Sequence, residues 1–277
     1  PHARRRGNGK AARRAGYGSE WAVEHLIRRP EDYRVIEFMI RDTHLTENYA
    51  AIRDMERDLG SDGVVMGRAT RSPYQQMFIE LMGIERLVLD RADGLPELES
   101  LREALEKQHA AIYRLAAESP AKLIWCPDNL TDWVAGGGLF ESYYVPYYNR
   151  FAQMLHDAGK VLVTHMDGRL GSLVGAIGRT GIDVAEAFTP PPMGNVSVSQ
   201  ALAAWPKKAL WINFPGAVFW QPPAEITAFT LKLLREGMPS VRFVLGVTEN
   251  IPQEVRDRAL LAVAEGIAAY TSMTSSA

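Results

Sequence analysis

Short apolar runs alternate with helical stretches through most of this 277-residue chain, and that alternation leaves few folds open. Runs at 63–66, 122–125, 161–164, 184–187, 209–212 and 241–245 are β-branched or apolar, as strands buried on both faces are. Between and after them, 98–117, 140–158, 170–180, 198–205, 224–236 and 252–269 read as amphipathic helices. Strands that alternate strictly with helices pair in parallel through right-handed crossovers. Residues 31–60 also read as helical, with Tyr33, Ile36 and Ile40 near helical spacing and Arg53, Glu56 and Arg57 on a polar face. The region before them offers no strand.

An open doubly wound sheet and a closed barrel both satisfy this pattern, and the position of the polar residues decides between them. Five of the six runs lead straight into polar groups: Asp128-Asn129 after Cys126-Pro127, His165-Met166-Asp167-Gly168-Arg169, Glu186 with Thr189, Asn213, and Thr248-Glu249-Asn250. An open sheet needs chemistry only at its switch point, whereas a barrel aims every such loop at one mouth. The sequence therefore predicts a (β/α)8 TIM-type barrel, incomplete at its N-terminus because only six strand candidates are visible.

Length and composition agree with one such domain. No Pro/Ser/Gly-rich linker divides the chain, and a single α/β barrel of about 250 residues is common. One cysteine, Cys126, rules out an intrachain disulfide and fits a reducing compartment. No apolar run nears the roughly 18 residues of a membrane span, and the start lacks a signal-peptide core. A cytoplasmic enzyme without membrane contact is expected. Arg4, Arg5, Arg6, Lys10, Arg13 and Arg14 precede the first acidic residue, Glu20, so segment 1–20 reads as a basic, solvated tail. No nucleic-acid role is assigned to it, and residues 21–277 form the expected barrel domain.

The glycines do not form a nucleotide motif. Gly171, Gly175 and Gly178 share a helical face without a Walker Lys-Ser/Thr, and suit close helix packing. Gly136, Gly137 and Gly138 read as a flexible loop ahead of the helix at 140.

Several polar residues at strand ends are candidates for chemistry, each with a structural alternative. His165 ends an apolar strand, where a lone imidazole is often only a satisfied core group. Asp167 either shares its side of the strand or caps the following helix. Asp128 and Asn129 orient a substrate or cap the next segment, Glu186 and Asn213 end their strands, and Arg68 binds a substrate carboxylate or forms a rim salt bridge. Cys126 reads as a buried small hydrophobe. Trp125, Trp133, Phe188, Phe214, Phe219 and Trp220 supply flat walls for a planar substrate or pack the barrel.

The chain from roughly residue 21 to 269 resembles the uroporphyrinogen decarboxylase-like superfamily. Phe140 with Pro146-Tyr147 is similar to the family's F-x-x-x-x-x-P-Y helix, which leads here through His156 and Gly159 to His165-Met166-Asp167-Gly168. That element resembles the family's His-x-Cys-Gly, and Thr180-Gly181-Ile182-Asp183 resembles the strand entry that follows it. Leu245-Gly246, Pro252 and Glu254-Val255 resemble the closing segment.

The resemblance implies a barrel with its active site at the C-terminal ends of the strands. Its zinc methyltransferases, which serve corrinoid proteins, use the His and Cys of His-x-Cys-Gly and a later Cys. Here Asp167 stands at the first Cys position, and Thr248 and Glu249 occupy the closing segment. The implied metal set is His165, Glu249 and Asp167, with zinc as the ion and oxygen-bearing substrates favoured over thiols. His165, Asp167, Asp128 and Glu186 are the implied catalytic residues, and Arg68, Asn129, Asn213, Phe188 and Trp125 the substrate contacts. The expected function is metal-assisted methyl transfer from a small methoxy-type substrate to a corrinoid carried by a partner protein, a homodimer being compatible with it. The alternatives are cofactor-free decarboxylation of uroporphyrinogen, faintly echoed by Arg13-Arg14-Ala15-Gly16-Tyr17, and a degenerate barrel kept for binding or assembly.

Overall fold

Five of the six apolar runs form strands in the computed structural model and the run at 63–66 contributes only Met66 to one; the structure describes residues 10–13, 20–248 and 250–275. Two compact units divide the chain: Pro1–Asp128 with Arg150–Leu162, and Asn129–Asn149 with Val163–Ala277.

The first unit begins with two short strands, β1 (Lys10–Arg13) and β2 (Glu20–Glu24), paired antiparallel. They correct the expectation that the region before residue 31 holds no strand. Their register sets Lys10 opposite Glu24 and Arg13 opposite Glu20. Expected as one stretch, 31–60 is two helices, α1 (Pro30–Arg41) and α2 (Tyr49–Leu59). Helix α1 has Pro30 at its first position, and Asp32 accepts from the N–H groups of Arg28 and Arg29 at 2.9 and 3.1 Å. It ends where Thr43 Oγ1 donates back to the Met39 carbonyl at 2.7 Å, a local bond that competes with continuing the helix.

Strand β3 (Met66–Arg68) begins three residues later than expected and pairs in parallel with β4 (Leu123–Cys126), Arg68 opposite Trp125. Val161, the first residue of β5 (Val161–His165), donates to the Lys122 carbonyl at 3.0 Å. Between β3 and β4 lie α3 (Pro73–Gln76), continued by a π turn at Met77–Met82, α4 (Ile84–Ala92) and α5 (Pro96–Glu118). The first two were not expected. Gly83, at φ +77°, separates them, a conformation glycine adopts without strain. Helix α1 packs on α5, and the buried Tyr33 hydroxyl and Arg86 Nε both donate to Asp90 Oδ2, at 2.5 and 2.6 Å.

The second unit opens with α6 (Gly137–Leu139) and a π turn at Phe140–Tyr144, so the glycine run begins a helix; α7 (Val145–Asp157) then passes from this unit into the first. The end of β5, then β6 (Val184–Phe188), β7 (Ala209–Asn213) and β8 (Phe243–Gly246) pair in parallel in sequence order. The helices between and after them are α8 (Val174–Gly178), entered by a 3-10 turn at Gly171–Leu173, α9 (Val198–Ala204), α10 (Pro223–Gly237) and α11 (Gln253–Ser275). Ser197 and Gln200 form a capping box at α9. Gly171, Gly175 and Gly178 do not share one packing partner: a Cβ on Gly171 would meet Asn195, and one on Gly178 would meet Trp205. Phe188, Trp205, Leu210, Ile212 and Phe219 fill the core here, each burial worth about 1.5–3 kcal/mol for a side chain of this size.

The chain is an α/β protein with six parallel strands and interleaved helices. The described residues form six parallel strands, two fewer than a complete (β/α)8 barrel has.

Candidate functional site

In the second unit the register sets His165, the last residue of β5, opposite Glu186 in β6. Glu186 would then be followed by two ordinary strand residues, but the ladder to β7 gains a residue between Ala185 and Phe188. At this bulge Ala187 takes φ +54°, a left-handed conformation that L residues rarely adopt. The irregularity sits beside Glu186, whose Oε2 lies 2.8 Å from His165 Nδ1. Asp167, two residues beyond His165, brings Oδ2 to 3.5 Å from Nε2. Asp167 therefore faces the imidazole, and the helical segment after it is capped instead by Asn195, whose Oδ1 accepts from the N–H groups of Leu170 and Gly171 at 2.8 and 3.0 Å.

The imidazole is held between two carboxylates on elements joined by strand pairing. Its side chain is 18% exposed and that of Glu186 6%. Burial alone would lower the pKa of His165, but the hydrogen bonds to Asp167 and Glu186 outweigh it and push the value up to about 9. His165 is thus an imidazolium at neutral pH.

Asn213, at the end of β7, is fully buried, and its Oδ1 accepts from the Thr248 N–H at 2.9 Å, tying down the loop after β8. Its Nδ2 lies 3.5 Å from Thr189 Oγ1, which in turn donates to the Ala187 carbonyl at 3.0 Å. The bulge is therefore braced from the neighbouring strand. Phe188 is buried edge-on to Trp205, with ring centroids 5.9 Å apart. Asn129 is exposed in the segment after β4.

The other expected site residues belong to the first unit and are described there. Asp128 is fully buried and accepts from the Ser72 N–H at 2.7 Å and the Ser72 hydroxyl at 2.6 Å. Cys126 is buried, a free thiol donating to the Thr70 carbonyl, and burial with Asp128 nearby pushes its pKa well up. An inert, packed cysteine is the result. The Arg68 guanidinium lies 5.6 Å from the centre of the Trp125 ring.

Glu249 lies outside the described residues. Among the described residues no group of three or more His, Cys, Asp or Glu side chains is disposed to hold a metal ion. His165 Nδ1 is engaged by Glu186, so the described members of the expected metal set offer Nε2 and the Asp167 carboxylate. These residues alone do not fit a zinc site, which needs three or four protein ligands.

Sequence reasoning pointed to His165, Asp167 and Glu186, which the structure brings together; it noted Thr189 after its strand without giving it a role, and it did not single out Ala187 or Ser72. Ser72-Pro73 carried a signal, since Pro after Ser marks a helix start. Nothing in Glu186-Ala187-Phe188 announces a bulge, because an extra residue in a ladder is a property of the neighbouring strand as well.

No family model matches the chain, and no curated protein matches its sequence. Among solved structures it is similar to a methyltransferase from Methanosarcina mazei, with TM-score 0.61 and 12% sequence identity over 94% of this chain and 76% of that one. At that identity the likeness is one of fold. Among the described residues no helix is long and apolar enough to cross a membrane.

Proposed function

We propose that the chain is an enzyme of methyl transfer in which His165 acts as a general acid. The observation that carries this reading is the imidazole clamped by Glu186 at Nδ1 and faced by Asp167 at Nε2, which keeps it protonated. The fold it shares with a methyltransferase supports the reaction class. The donor is a small methyl ether or similar oxygen-bound methyl group.

The chemistry balances without a metal. As a nucleophile gives its electron pair to the methyl carbon, the carbon–oxygen bond breaks and its pair stays on oxygen. His165 passes the Nε2 proton to that oxygen, so the leaving group departs as a neutral alcohol or phenol. Glu186 holds the ring in place through Nδ1 throughout. Asp167 stabilises the charged ring beforehand and is placed to help return a proton afterwards. The acceptor would be the cobalt of a corrinoid carried by a partner protein, which supplies a strong nucleophile when bound.

The test is turnover of a methyl ether with a corrinoid protein as acceptor, followed as demethylated product. His165→Gln should lower kcat by roughly 10²–10⁴-fold, and Glu186→Gln by about 10-fold or more through loss of orientation. Wild-type activity should fall as pH rises through about 9, where the acid loses its proton. Full activity in His165→Gln would sink the proposal. Activity abolished by chelation and restored by zinc would replace the imidazolium with a metal while leaving methyl transfer in place.

A further inference from the structure

Trp133 is 81% exposed, an unusual position for the largest apolar side chain. It belongs to the second unit, in the segment after β4 that meets the turn following His165. The Asp132 N–H donates to the Arg169 carbonyl at 2.7 Å, and the Gly168 N–H to the Leu130 carbonyl at 3.2 Å. The approach is so close that a Cβ on Gly168 would stand 2.4 Å from the Leu130 oxygen, so only glycine fits. This fixes Trp133 relative to the stretch that carries Asp167 and Arg169. The Arg169 guanidinium lies 5.8 Å from the centre of the Trp133 ring. Among the described residues no carboxylate forms an ion pair with Arg169.

An exposed tryptophan held beside an exposed, unpaired guanidinium is poorly explained by stability. Leaving the indole in water forgoes burial, and a surface cation–π contact returns only about 0.5–1 kcal/mol. Flat apolar surface beside a planar donor fork is instead what a planar carboxylate needs: its ring lies on the indole and its two oxygens meet the fork. We propose that Trp133 and Arg169 form a binding platform for a planar, carboxylate-bearing ligand. Calling that ligand the substrate rests on the reading of His165 as the reacting end, since Arg169 follows His165 by four residues; the platform itself does not.

Calorimetric titration of the full chain separates the two ideas, with 2-naphthoate as the probe. 2-Naphthamide lacks the charge, and decahydronaphthalene-2-carboxylate lacks the planar ring. 2-Naphthoate should bind at least about tenfold more tightly than either, one such factor being about 1.4 kcal/mol. Trp133→Leu should weaken 2-naphthoate about tenfold and leave the saturated acid unchanged. Arg169→Gln should weaken both acids by tenfold or more and leave the amide unchanged. Both side chains are exposed, so neither change threatens folding. Equal affinities for the three probes, no binding of 2-naphthoate, or 2-naphthoate binding unaltered in both variants would overturn the platform. His165→Gln should retain 2-naphthoate affinity within twofold. If that variant keeps full methyl-transfer activity while the platform results hold, the general-acid reading fails and the binding site stands.

Discussion

Ala187 carries the backbone irregularity next to the clamped imidazole, and its left-handed conformation should be a measurable burden on stability. A non-glycine residue in that region costs on the order of 1–2 kcal/mol. Ala187→Gly should therefore raise the unfolding free energy by about 1 kcal/mol, whereas Ala187→Val, β-branched at φ +54°, should lower it by more than that. Denaturant melts decide this, and a glycine variant less stable than the wild type would show that the bulge is not strained. His165 supplies a second effect, of defined sign. Its pKa is about 6.5 unperturbed and about 9 in the folded protein, so the native state holds the proton more tightly. The stabilisation is fully present below pH 6.5 and is lost as pH rises through 9. With the ring only 18% exposed, the shift corresponds to at most about 3 kcal/mol. Between those pH values the wild type should lose stability relative to His165→Gln. Parallel pH profiles for the two proteins would mean that the carboxylates do not hold an imidazolium.

At the scale of elements, a device recurs at the strand entrances that no motif reports. Lys160, just before β5, donates to the carbonyls of Ser119 and Ala121 at 2.6 and 2.7 Å, in the approach to β4. Lys208, just before β7, donates to Thr180 and Ile182 at 2.6 and 2.8 Å, in the approach to β6. Arg242, just before β8, donates to Trp205 and Lys208 at 2.9 and 2.7 Å, in the approach to β7. Each cation binds two carbonyls where a neighbouring strand begins, and the Trp205 carbonyl also accepts from the Lys208 N–H at 3.1 Å. Burial lowers the pKa of Lys208 to about 8, the direction expected for an amine surrounded by protein. Lys208→Met keeps the stem and removes the donor, and should destabilise by about 1–3 kcal/mol; unchanged chemical denaturation would contradict the role. These lysines were not read as special in the sequence, because a Lys before an apolar run looks like any solvated loop residue. The six strands were legible, since Val161–His165 and Ala209–Asn213 are apolar runs that no surface segment would carry. Helices α3 and α4 were not, although Pro73 marks their start, because the apolar Met77–Met82 turn departs from the 3.6-residue period on which the reading relied. At the site, His165, Asp167 and Glu186 were legible from their positions at strand ends. The commitment of Asp128 to Ser72 was not, because it joins residues far apart in the chain.

Considered as a whole molecule, the chain has little charge with which to hold copies apart: its formal net charge is −2 over 277 residues. In the second unit β8 pairs with β7, and among the described residues no strand pairs with its other edge. Apolar side chains are exposed along this edge strand and beside it, Val241 fully, Val244 at 47% and Val247 at 39%. A strand edge unpaired among the described residues, with exposed valines and no Pro or charge within Phe243–Gly246, is a template for pairing with another strand. The expected outcome is self-association through β8, read as a concentration-dependent rise in sedimentation coefficient. Val244→Lys places a charge in that edge while leaving the β7 ladder intact, since only the side chain changes. Losing the burial of one valine and bringing two lysines together at a symmetric contact should weaken association by about tenfold or more. Val88→Lys, at an exposed apolar position on α4, adds the same charge elsewhere and should leave association within twofold of the wild type. If both variants weaken association equally, net charge and not the β8 edge governs it; if the wild type sediments as a monomer at every concentration, the edge is protected by something other than a second copy and the prediction fails.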